Sequence, residues 1–223
     1  MTLSREVLSR CLPFALYMAI MALTPWLANL LGLSPERQNW LYALRVAAPL
    51  VAIIYFWRDY AELRAQSFSL QGLLASVAAG LLVFVIWINL AEGWAVLGAL
   101  TGFVPKTAAG NVDWPLIVVR WCGAALVVPL MEELFWRSFL QRWLDQPAFL
   151  SVDPRLVSFR ALLIASLLFG SEHTQWLAGI VAGLFYGFLY RRYGNLWLPT
   201  IAHAITNGVL GIWVVAGGHW QFW

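Results

Sequence analysis

Residues 115–144 read PLIVVRWCGAALVVPLMEELFWRSFLQRWL, and this stretch decides the fold class. It is longer than the roughly 20 apolar residues that cross a bilayer. It therefore predicts a membrane helix that extends past the hydrocarbon. Yet its second half carries Glu132, Glu133 and Arg137. An ionisable side chain in a membrane helix costs about 2.5–3.5 kcal/mol on insertion scales, so such groups face a bundle interior and often mark function.

Comparable runs lie on both sides, at 11–31, 39–57, 70–90, 158–174, 176–191 and 196–216. With 115–144 they make about seven helices, an all-α polytopic transmembrane bundle. Pro13 and Pro25 are expected to bend or shorten the first. The fifth and sixth are short and nearly contiguous, which suits a hairpin that turns inside the protein. Segment 91–113 contains Gly, Pro, Lys and Asp and reads as a loop with an interfacial helix. Residues 1–113 then form an N-terminal set of helices and 114–223 the core. The first run follows Arg5 and Arg10 and shows no clear small-x-small cleavage site, so it reads as a retained helix rather than a signal peptide.

Composition agrees. Apolar residues make up 61% of the 223 and charged residues 11%, against about 25% charged in soluble domains. The net charge of +3 does not indicate nucleic-acid binding, because the basic residues are scattered and no run exceeds Arg191-Arg192. They behave as topology signals. With a cytoplasmic N-terminus, Arg5, Arg10, Arg58, Arg64, Arg142, Arg155, Arg160, Arg191 and Arg192 share one side, while Arg37 and Lys106 take the other. That bias supports an N-in, C-out multi-pass membrane protein. Cys11 and Cys122 sit in apolar runs, so no disulfide framework is expected.

The polar residues inside the helices cluster on three of them. Glu133 and Arg137 are four apart, share a helix face and predict an ion pair. Glu132 lies about 100° round the same helix and stays free to act as a general base. His203 and Asn207 are likewise four apart, and His173 shares its face with Phe169. Helix rise puts Glu132, His173 and His203 roughly 18, 20 and 12 Å from the same membrane side. Arg45 and Arg120 read as interhelical or interfacial residues without a role. Glu172 reads as a helix-end polar residue or a partner of His173. His219 reads as incidental. Gly179, Gly183 and Gly187 recur at spacing four and predict a helix-packing face.

Three motifs stand in order here: Glu132-Glu133-x-x-x-Arg137, Phe169-x-x-x-His173 and His203-x-x-x-Asn207. Together they resemble the CAAX-protease and bacteriocin-processing family (CPBP or Abi) of intramembrane proteases. The resemblance covers about residues 115–210. The arginine-rich second loop and chain length look similar to the CAAX-protease-related proteins that accompany bacterial exosortase systems. The resemblance implies an endopeptidase acting on a membrane-associated protein or peptide. Glu132 would activate water, His173 would help hold that water or a metal, and His203 and Asn207 would stabilise the oxyanion. Glu133 and Arg137 would support them. The metalloprotease label implies zinc on Glu132, His173 and His203, with one position left for water. A metal-free glutamate mechanism uses the same residues.

Two other readings fit the bare residues. Buried Glu, His and Arg also serve transporters and proton relays, although no internal repeat is visible. A non-catalytic immunity or scaffold protein with a protease-like fold is the third.

Overall fold

The computed structural model describes residues 4–64, 67–100, 102 and 104–223. Residues 101 and 103 of the expected 91–113 loop lie outside the described residues, as do 1–3 and 65–66 of the N-terminal region. Seven main helices follow in order: α1 (Arg5–Leu30), α2 (Leu41–Tyr55), α3 (Leu70–Asn89), α4 (Trp114–Trp143), α5 (Phe159–Ser171), α6 (Trp176–Tyr193) and α7 (Trp197–Gly217). Among the described residues the only β pairing is an isolated bridge between Lys106 and Val112. The chain is an all-α membrane bundle. Four helices, α1, α3, α4 and α7, are long and apolar enough to cross a bilayer. Helix α5 has 13 residues, about 20 Å of rise against a hydrocarbon core of about 30 Å.

The bundle shows large apolar side chains on its outside and keeps a cluster of ionisable groups within its apolar core, as a lipid solvent demands. Large side chains such as Trp26, Ile54, Leu81, Leu126 and Ile212 are exposed, while Glu132, Glu133, Arg137 and His203 are buried.

Helix α1 starts earlier than expected and neither proline ends it. Val7 N–H donates to Ser4 Oγ at 3.3 Å, which caps the helix. Arg10, read from sequence as a cytoplasmic signal, is fully buried. Its guanidinium donates to both Glu62 oxygens, at 2.8 and 2.7 Å, and Ser138 of α4 also donates to Glu62. The clasp fixes α1 and the 56–64 turn to α4. Burial alone would raise the Glu62 carboxyl. The Arg10 hydrogen bonds and charge, with Ser138, outweigh it and hold Glu62 below its ordinary range.

Helix α4 is capped at Asp113, whose Oδ1 accepts from Leu116 N–H at 3.1 Å. Its middle is not regular. Turns Gly123–Val127 and Leu134–Leu140 widen to π geometry on either side of the α-helical Val128–Glu133. Pro129 has no N–H to give the preceding turn, and a π turn just before it absorbs that mismatch. Such wide turns recur at functional sites.

Small residues set the approach of the remaining helices. A Cβ on Gly183 of α6 would lie 2.9 Å from Ser166 Cα of α5, and one on Gly80 of α3 would lie 2.5 Å from the Ala202 carbonyl of α7. The glycine stripe expected on the sixth helix is thus its contact with α5. Among its described residues, segment 91–113 carries a short 3-10 turn at Gly93–Ala95 rather than an interfacial helix.

Candidate active site

Helices α4, α5 and α7 bring the three motifs to one place. Glu133 and Arg137 form the predicted pair, Nη1 to Oε1 at 3.0 Å, with both side chains buried. The Arg137 guanidinium also lies 4.5 Å from the Phe169 ring centroid. Glu133 has a second partner that its own helix does not reveal. His203 Nδ1 stands 3.0 Å from the same Oε1. The carboxylate accepts, so Nδ1 carries the proton and Nε2 is turned the other way. There it faces Glu132 Oε2 at 3.9 Å. The ring is held flat against Tyr186, centroids 4.8 Å apart. Tyr186 in turn donates to Thr206 at 2.7 Å, and Thr206 to the Gly80 carbonyl at 2.8 Å.

His173 is oriented in a similar way. Its Nδ1 lies 2.7 Å from the Phe169 carbonyl, so Nδ1–H donates and Nε2 keeps its lone pair. The turn that carries it is tied down by Gln175, whose amide donates to the Trp87 carbonyl at 2.7 Å. Leu97 N–H donates to Thr174 O at 2.8 Å. Asn207 Nδ2 donates to the Ala124 carbonyl at 2.9 Å, inside the first π turn of α4.

Glu132, His173, His203 and Asn207 line one cavity of about 80 Å³ between the helices. Glu132, His173 and Asn207 also line a larger one of about 330 Å³ beside it. Glu132 therefore sits at the wall between a tight inner pocket and a wider approach. One oxygen each of Glu132, Glu133 and Glu172 is buried without a hydrogen-bond partner in the structure.

Ligand atoms of Glu132, Glu172 and His173 lie within 4.8 Å of one another. The donor set of two carboxylates and one imidazole suits a divalent cation, and the orphaned oxygens give it a reason to bind. The backbone bond at His173 Nδ1 is the kind of outer contact that aims a ligating ring. This tight group holds Glu172 in place of His203, which the sequence had set among the zinc ligands. Glu172, read from sequence as a helix-end polar residue or a partner of His173, joins that histidine here, and Gln175 is the residue that sequence reasoning passed over. Glu172 precedes a motif histidine but belongs to no motif, and Gln175 is an ordinary loop residue until its Trp87 contact is seen.

Comparison with known proteins returns the same region. Residues 114–209 match a family model described as "Type II CAAX prenyl endopeptidase Rce1-like". A Bacillus subtilis (strain 168) protein described as "Putative membrane peptidase YdiL" is 23% identical over 145 residues, 54% of this chain and 55% of that protein. The chain thus matches about half the length of this curated relative. No solved structure matches.

Proposed function

We propose, from the match of residues 114–209 to the type II CAAX prenyl endopeptidase Rce1-like family, that the chain is an intramembrane endopeptidase in which Glu132 activates the attacking water. The observation that carries this reading is the placement of His203 between two glutamates. Nδ1 is fixed by Glu133 at 3.0 Å, and Nε2 faces the Glu132 oxygen at 3.9 Å. That gap is too long for a direct hydrogen bond and is a span that one water bridges.

Glu132 takes a proton from that water as its oxygen attacks the peptide carbonyl, then returns the proton to the leaving amine. When His203 Nε2 holds a proton it donates to the oxyanion, and the Glu133 carboxylate stabilises the charge on the ring. Asn207 uses one amide hydrogen on Ala124, which leaves the other for the oxyanion. Arg137 holds Glu133 in place. A divalent cation such as zinc, held by Glu132, Glu172 and His173, would polarise the water further.

The substrate in this reading is a protein or peptide of a membrane-associated chain, met within the lipid bilayer. The test compares C-terminal peptides of membrane proteins from cells making wild type or Glu132→Gln. Loss of a general base costs about 10²–10⁴ in rate, so at least one processed terminus disappears while the variant accumulates normally. Identical peptide sets would overturn the reading.

A further inference from the structure

Two cavities meet at His173. One is the approach of about 330 Å³ that reaches Glu132 and Asn207. The other, about 240 Å³, reaches Trp87, Gln175 and Gln221. Phe222 and Trp223 line both, so these two rings stand as a partition between the spaces. The chain arrives there by doubling back. Helix α7 ends at Gly217, and Gly218 takes φ +71°, a left-handed turn that glycine adopts without strain. His219 N–H then donates to Val214 O at 3.0 Å. The His219 ring, read from sequence as incidental, lies flat on Trp213 of α7 with centroids 3.7 Å apart. Phe222 meets the same indole edge-on at 5.3 Å, and Trp223 lies 5.4 Å from the Arg120 guanidinium. On its other side the segment presses on the 91–113 loop, where a Cβ on Gly102 would overlap the Trp220 carbonyl.

How the segment is held sets how it can move. Beyond the Gly218 hinge, its backbone hydrogen bonds among the described residues are internal. Phe222 N–H donates to His219 O at 3.1 Å and Trp223 N–H to Trp220 O at 3.0 Å. Ring contacts hold the rest, and each is weak on its own. Phe222 and Trp223 are only half-buried. A short turn with few buried contacts opens locally at far lower cost than the helices beneath it. Residues 219–223 can thus swing about Gly218 as one piece.

We propose that residues 219–223 are a movable strap across the catalytic cavity, and that Phe222 and Trp223 swing out before a substrate reaches Glu132 and His173. The words catalytic and substrate rest on the peptidase reading, though the cover over His173 does not. The two-chamber shape supports the movement. An extended peptide advances about 3.3 Å per residue, so a chain with residues on both sides of the reacting carbonyl needs one continuous groove. With the rings in place the space near Glu132 and the space near Gln175 are separate. With the rings out they join at His173, and a chain can pass through.

The experiment treats the full chain in lipid nanodiscs with diethyl pyrocarbonate, which acylates an unprotonated imidazole nitrogen. A chelator is present so that no metal shields the ring, and His173 modification is followed by peptide mass spectrometry. Gly102→Ala pushes the Trp220 backbone off the loop from outside the cavity. Phe222→Ala/Trp223→Ala removes the rings and leaves the backbone contacts. Each is expected to speed His173 modification about tenfold or more, the scale for an open form populated at about 10% or less in wild type. Half-buried Cys11 of α1 is the control, and its reaction with N-ethylmaleimide stays unchanged. If Gly102→Ala speeds Cys11 as well, the fold has loosened and the double variant decides. Modification of His173 at the wild-type rate in the double variant would overturn the proposal. So would amide exchange at Phe222 and Trp223 of wild type as slow as in the middle of α7, which would make the segment a fixed wall. Faster modification in the variants, with no membrane-protein terminus cleaved by wild type, would leave the strap standing and remove the peptidase reading. An unchanged rate alongside cleavage would do the reverse.

Discussion

Glu133 and His203 are 70 positions apart in the chain, yet one carboxylate oxygen joins them at 3.0 Å and also receives Arg137 at 3.0 Å. A buried oxygen shared by an arginine and an imidazole fixes the ring and its tautomer together. Glu133 is therefore more than the anion of a structural pair. It determines which nitrogen of His203 meets Glu132.

Glu133→Gln tests that role. Glutamine keeps the shape, but its amide can rotate to present a donor and release the Nδ1 proton. Loss of an orienting carboxylate of this kind costs about 10–100-fold in activity. The expected loss is in kcat, with KM nearly unchanged, because the substrate is not touched. A change in KM alone would count against the tautomer argument.

Arg137→Met removes the cation from a fully buried pair. Breaking such a pair costs about 3–5 kcal/mol, and the lower end applies because His203 still bonds Glu133. Thermal unfolding in detergent should show the loss. The double variant Glu133→Gln/Arg137→Met should recover most of the stability while remaining inactive.

Helix approach sets the site as firmly as its polar groups do. Gly80→Ala places a methyl 2.5 Å from the Ala202 carbonyl, one residue before His203. Backbone must move, at about 1–3 kcal/mol, and His203 moves with it. Gly208→Ala on α7, which faces Ala125 and Trp121 of α4, meets nothing closer than 3.8 Å and should keep stability and activity. Activity and melting temperature of the two variants make the comparison. Equal tolerance would show that the α3–α7 contact is slack.

The Arg10–Glu62 clasp predicts acid sensitivity at the far end of the bundle. Glu62 is held below its ordinary value of 4.5 when folded. The unfolded chain thus binds a proton first on acidification, and stability falls as pH drops below 4.5 toward the folded value. Above that window the contribution is fully present. Wild type should lose melting temperature there more steeply than Glu62→Gln. Parallel curves would remove Glu62 as the cause.

Much of this was legible in the sequence, for physical reasons. The helices announced themselves because a bilayer demands long apolar runs, and the Glu133–Arg137 pair because spacing four fixes a shared face. Other features could not be read this way. Whether His203 points at Glu132 or Glu133 depends on how α7 rotates against α4, and close packing at Gly80 decides that. Arg10 resembled a surface charge because its partner Glu62 lies in a turn 52 positions away. The π turns left no periodic signal, since they shift only a few residues around Pro129.

Glu172 offers the test of whether a cation takes part in the proposed water activation. If Glu132, Glu172 and His173 hold a cation, Glu172→Gln should lower its affinity about 10–100-fold, the scale for disturbing a metal site. Metal analysis of purified wild type should find a divalent ion near stoichiometry, reduced in Glu172→Gln and His173→Ala. Chelation should abolish activity, and zinc should restore it in wild type only. Full activity in chelator, with Glu132→Gln still inactive, would instead assign the chemistry to the carboxylate alone. In that case Glu172 remains a buried neighbour of Glu132 at 4.8 Å or less, and Glu172→Gln should leave metal content unchanged.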